Sequence, residues 1–331
     1  MERKIRWGIM GPGWIAEKFA AALNHVPHAS SYAVGSRSQE RASGFARKFG
    51  FENAYGSYKA LVEDPNVDAI YIATPHPWHC EHTLQCLEAG KAVLCEKPFA
   101  MNEKEVRRMI DTARTRRVFL MEAMWSRFLP SVIKTMELIR AGSIGDVVHV
   151  RSDLGFRAAV NPDGRLYNPE LGGGSLLDVG VYPVFITLLL LGEPDEISSH
   201  AVFTDRGIDS SLSAIFRYNG GQLADLFCSF VTETATETEV AGTRGSILIH
   251  RKWFMPNPVT LRPNDGREET FEFAAACNGY EYEAIEVTNC LLAGKTESAL
   301  MPHDLSLKLI RLLDKIRVQN GIRYSADERS S

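Results

Sequence analysis

The sequence is short of the features that mark several whole classes of protein. Its six cysteines, Cys80, Cys86, Cys95, Cys228, Cys277 and Cys290, form no Cys-x-x-Cys pair and no compact framework, which argues against a disulfide-stapled secreted module. Reduced thiols in the cytosol are the simplest expectation. Long apolar runs are missing too. The longest, residues 181–191, is interrupted by Tyr182, Pro183 and Thr187 and falls short of the roughly 20 residues that a membrane span needs. Neither sign of charge dominates: 37 Lys and Arg stand against 41 Asp and Glu, a net charge of -4, so a general nucleic-acid binder is not expected. Arg114, Arg116 and Arg117 read as a solvated helix end. Met1-Glu2-Arg3-Lys4 runs at once into a strand-like segment, leaving no apolar stretch for a signal peptide. A cytoplasmic protein without a membrane partner is the expectation.

At 331 residues the chain exceeds what one hydrophobic core usually supports, so two domains are expected. Residues 1–122 alternate short apolar runs with amphipathic stretches, the pattern of a doubly wound parallel sheet. Its strands are expected at 5–10, 32–36, 69–73, 92–94 and 118–121, and its helices at 15–23, 39–49, 79–89 and 103–114. Asn102 is placed to cap the last helix, and Gly90 to end the one before it. Residues 123–331 read as an α+β domain. Turn-separated strands at 147–154, 197–203, 212–218, 222–231 and 246–250 suit an antiparallel sheet, with helices near 131–140, 175–191 and 280–293. A closing helix at 305–320 carries Leu305, Leu309, Leu312, Leu313 and Ile316 at helical spacing, a core stripe expected to pack back on the first domain.

The first strand leads into Gly11-Pro12-Gly13-Trp14-Ile15-Ala16, which fits G-x-G-x-x-A between a strand and a helix. Gly11 allows the tight turn, Gly13 lets backbone approach a pyrophosphate, Trp14 and Ile15 open the helix whose N–H groups face the phosphates, and Ala16 keeps that helix close to the strand. Alone, such a pattern is also found in structural turns. The second strand bears on the choice of dinucleotide. No Asp or Glu lies between Glu17 and Glu40 to hold the ribose hydroxyls of NAD, whereas Ser36-Arg37-Ser38 offers a guanidinium and two hydroxyls to a 2′-phosphate. NADP is expected over NAD.

Lys97, in Cys95-Glu96-Lys97-Pro98, follows a buried strand at the carboxyl end of the sheet, where ligands gather in such folds. A strand-end Lys is equally a surface charge. Gly172-Gly173-Gly174 is entropically expensive unless something must come close to that backbone. It opens a helix expected to show Asp178 and Tyr182, four residues apart, on one face. A tyrosine with a usual pKa of ~10 needs a neighbouring cation to act as a base, and Lys97 is the candidate cation. His76, His79 and His82 form a His-x-x-His-x-x-His pattern. Pro77 and the lack of a nearby carboxylate other than Glu81 favour no metal, with His76 lining the substrate pocket. Trp125 and Arg127, where the two domains join, and Phe156 read as pocket walls, with ordinary packing as the alternative.

Taken together, these residues resemble the glucose-fructose oxidoreductase and inositol dehydrogenase (Gfo/Idh/MocA) family. The resemblance rests on the glycine turn, Thr74-Pro75 with His79, Glu96-Lys97-Pro98 and the Asp178 segment, and covers nearly the whole chain. It implies a Rossmann domain followed by a domain with an open-faced, mainly antiparallel sheet. It also implies that Thr74, Pro75, His79 and Glu96 join the cofactor site, and that copies associate as dimers or tetramers through that sheet. The family's common pattern places His four residues after the Asp. Tyr182 stands there instead, as in branches that include the dimeric dihydrodiol and NADP-linked xylose dehydrogenases. The implied substrates are a sugar, polyol or trans-dihydrodiol. In the implied mechanism Tyr182, assisted by Lys97, exchanges the alcohol proton while Asp178 orients the hydroxyl or sets the charge of the pair. A non-catalytic NADP-binding sensor is the alternative, disfavoured by the presence of Lys97, Asp178 and Tyr182 together.

Overall fold

The computed structural model describes residues 3–328. The strands are β1 (Ile5–Met10), β2 (Ala29–Gly35), β3 (Asn53–Tyr55), β4 (Ala69–Ile72), β5 (Ala92–Glu96), β6 (Leu120–Ala123), β7 (Val147–Gly155), β8 (Glu196–Phe203), β9 (Asp209–Arg217), β10 (Leu223–Ser229), β11 (Thr238–Gly242), β12 (Gly245–Ile249), β13 (Val259–Pro263) and β14 (Glu269–Phe271). The helices are α1 (Trp14–Leu23), α2 (Gln39–Phe49), α3 (Tyr58–Glu63), α4 (His79–Glu88), α5 (Glu103–Arg116), α6 (Pro130–Arg140), α7 (Val181–Leu191), α8 (Tyr280–Leu292), α9 (His303–Asn320) and α10 (Ser325–Glu328). They divide between two compact units. Among the described residues, one takes in 3–125 together with Ala276–Leu307; the other takes in Ser126–Ala275 and 308–328.

In the first unit six parallel strands lie in the order β3-β2-β1-β4-β5-β6. The order reverses between β1 and β4, which leaves a crevice at their carboxyl ends. β4, β5 and β6 are buried at every position, because helices cover both faces of a parallel sheet. Local chemistry sets the helix ends. Ser38 accepts the Arg41 N–H to cap α2, and Asn102 accepts the Glu105 N–H at 3.0 Å to cap α5, as its position in the sequence suggests. α8 completes this unit from far along the chain: the Trp7 indole N–H donates to Thr288 Oγ1 at 3.3 Å. His303 at the start of α9 meets the Leu120 carbonyl through Nε2 at 2.9 Å.

The second unit holds an eight-stranded sheet in the order β14-β13-β12-β11-β7-β10-β9-β8, antiparallel except for the β7–β10 pair. Burial alternates along β9 and β10, so one face is covered and the other is open. α7 covers the first face. The stretch Pro169–Leu191 has the length and apolarity of a spanning helix, yet 83% of its most apolar window is buried inside the protein. The regular helix expected over 175–191 divides in two. Leu176–Gly180 is π-helical, and the α-helix starts only at Val181.

Candidate active site

The turn after β1 has the form that the sequence suggests. Gly11 has φ +90°, and a Cβ there would lie 2.9 Å from Thr74 Cγ2 and 3.1 Å from the Ala73 carbonyl oxygen. A side chain is therefore excluded both by conformation and by space. At Gly13, by contrast, an added Cβ would meet no atom within 4 Å. The approach to the amino end of α1 is open there, which fits a dinucleotide pyrophosphate facing free N–H groups. Ala16 is buried against the sheet, Ile15 partly so, and Trp14 is exposed with Lys18 Nζ 5.6 Å from its ring. Ser36 is buried at the end of β2, while Arg37 is exposed. Its charge acts on Tyr58 and His82, so both lie within its field. Tyr58 packs edge-on to His82 and Trp78 stacks on its other side, at centroid distances of 4.9 and 6.3 Å. The guanidinium therefore neighbours an aromatic wall. Tyr58 escapes a sequence reading because its helix has only six residues.

At the carboxyl ends of β4 and β5 the polar groups interlock. Thr74 is buried and its Oγ1 lies 2.9 Å from His82 Nδ1; Pro75 is exposed. His79 is fully buried, with Nδ1 2.8 Å from the Pro98 carbonyl and Nε2 2.7 Å from the Thr74 carbonyl. Two facing carbonyls favour the charged ring. Burial outweighs them, with His82 and Lys97 adding repulsion, and lowers the pKa to about 4. The ring lies between the two strand ends, and in its neutral form it donates to only one of the two carbonyls. His76 is buried edge-on to His79, with ring centroids 5.5 Å apart. Among the described residues no His, Cys, Asp or Glu group is arranged to hold a metal ion.

Lys97 itself is half-buried and joined to Pro98 by a cis peptide. Glu96 Oε2 accepts the Lys97 N–H at 3.1 Å, and Glu96 Oε1 accepts a short hydrogen bond from the Tyr71 hydroxyl. Trp125 is buried in the same unit, stacked on Tyr280 with centroids 4.3 Å apart.

Asp178, Tyr182, Phe156 and Arg127 belong to the other unit. Asp178 sits in the π-helical turn, buried, with its Oδ1 2.5 Å from Arg165 Nη1 on a half-exposed loop. Tyr182 opens α7 and is 6% exposed. Its ring meets Trp253 edge-on at 6.4 Å and Phe254 at 5.4 Å. Phe156 packs on the small cluster of Tyr167, Ile208 and Phe230, and Arg127 is buried. π-Helical turns are frequent at functional sites, and here one carries Asp178 just before Tyr182.

The triple glycine lies close against residues of its own unit. A Cβ on Gly174 would lie 2.2 Å from Asp209 Oδ1, and one on Gly173 would lie 2.7 Å from the Leu166 carbonyl. Asp209 Oδ2 accepts the Leu176 N–H at 2.7 Å and the Ser175 hydroxyl at 2.9 Å, so it caps the turn that carries Asp178. Burial raises its pKa to about 6 against those donors. From behind, the Tyr324 hydroxyl donates to the Gly173 carbonyl at 3.1 Å. Arg165, Asp209, Trp253 and Phe254 carry no local signature. Each lies at least four residues beyond any recognised motif, on a loop or a strand start.

Comparison with known proteins gives the same outline. Residues 5–124 match the model of an oxidoreductase family with an NAD-binding Rossmann fold, and residues 132–248 match the GFO/IDH/MocA C-terminal domain. Trans-1,2-dihydrobenzene-1,2-diol dehydrogenase from Danio rerio is 38% identical over 98% of this chain and 99% of its own. The Homo sapiens protein of that name is 34% identical over the same shares. Among solved structures, a 3-ketoreductase from Actinomadura kijaniata in complex with NADP and TDP-benzene has a TM-score of 0.87 at 27% identity, covering 96% of this chain and 98% of its own.

Proposed function

The chain belongs to the Gfo/Idh/MocA oxidoreductase family, and from that premise we propose that it is an NADP(H)-dependent dehydrogenase acting on a secondary alcohol or carbonyl of a sugar, polyol or trans-dihydrodiol. The observation that carries the proposal is Tyr182, buried in an aromatic setting one step after a π-helical turn that presents Asp178. The NADP-bound ketoreductase and the dihydrodiol dehydrogenase relatives support the cofactor and the substrate class. When bound, NADP supplies the carbon that takes up or gives back hydride. Gly11, Gly13, Trp14, Ile15, Ala16, Thr74, Pro75, His79 and Glu96 would frame it, with Ser36 and Arg37 at the 2′-phosphate.

In the proposed step Tyr182 takes the alcohol proton during oxidation and returns it during reduction, at its hydroxyl oxygen. Lys97 favours the phenolate by its charge. Asp178, fixed by Arg165, accepts a hydrogen bond from the substrate and sets its angle. Trp125, His76, Arg127 and Phe156 are the proposed pocket walls. General acid-base catalysis contributes about 10² to 10⁴ in rate, so Tyr182→Phe loses turnover by that factor while NADPH affinity stays unchanged. Retained turnover in that variant would sink the assignment. We further infer a cytoplasmic homo-oligomer formed through the open face of the second sheet, which sedimentation of the full chain tests.

A further inference from the structure

Two carboxyls grip the backbone on either side of Lys97. Glu96 holds the Lys97 N–H, and Glu122 Oε1 holds the Phe99 N–H at 3.1 Å. The parallel register of β5 and β6 sets this up by pairing Cys95 with Glu122 and Glu96 with Ala123. Glu122 is 2% exposed, so its charge is not shared with water. From β5 it faces Cys95, Glu96 and Lys97. α9 offers the Ser306 side chain, one turn after His303. Tyr71 on β4 and Glu283 on α8 both neighbour Glu96. Glu283 is fully buried, and neither of its carboxyl oxygens has a hydrogen bond. Burial and Glu96 push its pKa well above the usual carboxyl range. Lys97 is the cation whose field favours an ionised Glu122.

We propose that Glu122 is a positioning residue for Lys97: it holds the far end of the turn that carries the lysine, and its ionised form and the Lys97 ammonium each stabilise the other. The inference rests on the reading of Lys97 as the cation that assists Tyr182. Burial raises the pKa of Glu122 to about 7, against the Ser306 and Phe99 hydrogen bonds. Below that pH Lys97 faces a neutral acid. Above it the proton has gone to solvent and the lysine faces a carboxylate. The field of a neighbouring cation favours the carboxylate, so removing Lys97 raises the pKa of Glu122.

Infrared difference spectra of the full chain, free of cofactor, test the coupling directly. Between pH 5 and 9 a protonated-carboxyl band should disappear with a midpoint near 7, apart from that of Asp209 near 6, and it should be missing in Glu122→Gln. Lys97→Met should move that midpoint upward by at least about one unit. A midpoint unmoved by Lys97→Met overturns the inference, and so does the lack of a titrating band. Should Glu122→Gln fail to fold, the shift in Lys97→Met decides alone, since that protein keeps its carboxyl. In steady-state assays Glu122→Gln should lose the inflection near pH 7 in kcat, and Glu122→Asp should restore part of it. A profile identical to the parent protein overturns the positioning role. Full turnover in Lys97→Met would overturn the underlying reading of Lys97 instead, whatever the spectra show.

Discussion

Arg165 Nη1 and Asp178 Oδ1 stand 2.5 Å apart, a charge pair that ties an exposed loop to a buried π-helical turn. The arginine is half in water while the aspartate is not, so the loop supplies the countercharge that Asp178 needs to sit where it does. A hydrogen bond to a charged group is worth about 1.5 to 3 kcal/mol, or roughly 10- to 100-fold. Arg165→Ala should lower kcat/KM within that range, and Arg165→Lys should recover part of it, since a single ammonium can replace one N–H. Steady-state kinetics beside thermal melts separates this from loss of fold. Unchanged kcat/KM in Arg165→Ala would mean that the pair is only a surface contact.

Arg37 is exposed at the end of β2 beside the Tyr58–His82–Trp78 wall. Removing its guanidinium should weaken NADPH binding by about 10- to 100-fold and leave NADH binding within about twofold, because only one of them carries the 2′-phosphate. Fluorescence titration of Arg37→Ala with both nucleotides reads the difference. Equal losses for the two would remove Arg37 from the discrimination.

Gly174 has φ +135°, and an added Cβ would meet Asp209 Oδ1 at 2.2 Å. The backbone strain alone is worth about 1 to 3 kcal/mol, and the clash adds to it. Gly174→Ala should therefore lower the thermal midpoint by several degrees, whereas Gly44→Ala, in open space on α2, should not. Paired melts of the two variants check the contrast.

Asp209 introduces a pH dependence of stability whose sign is fixed by the direction of its shift. Its folded pKa, raised to about 6, exceeds the unfolded value of about 3.9. The folded chain thus holds the proton more tightly, and this contribution is complete below about pH 4 and is lost as pH rises through 6. Asp209→Asn keeps an oxygen for the Leu176 N–H but cannot titrate. Across that window the parent protein should lose stability relative to the variant by on the order of 2 to 3 kcal/mol, followed by urea denaturation.

How much of this was legible in the sequence depended on whether neighbouring residues shared one environment. β1 and β5, the glycine turn and the cap at Asn102 lie in segments whose periodicity or motif is local, and these regions stand where the pattern puts them. β3 and α3, with three and six residues, are too short to show a period, and β11, β13 and β14 fall among polar and turn residues. The π-helical turn was hidden because an apolar helix buried on all sides gives no amphipathic signal to break. In the site, Lys97, Arg37, Asp178 and Tyr182 announce themselves by motif. Asp209 does not, since it reaches the Ser175–Leu176 turn from 33 residues away at an ordinary strand start. The glycine run was correctly read as a close approach, but its neighbours are Asp209 and the 165–168 backbone.

The hydrogen bond from Trp7 to Thr288 spans 281 residues of sequence. During synthesis the strand that carries Trp7 leaves the ribosome 281 residues ahead of its partner. The nucleotide-binding unit therefore cannot reach its final form until α8 has been made, so a chain stalled or truncated before residue 280 would display an incompletely covered Rossmann sheet. Quality-control proteases should read such products as unfolded, even though every residue of the glycine turn and Lys97 is already present.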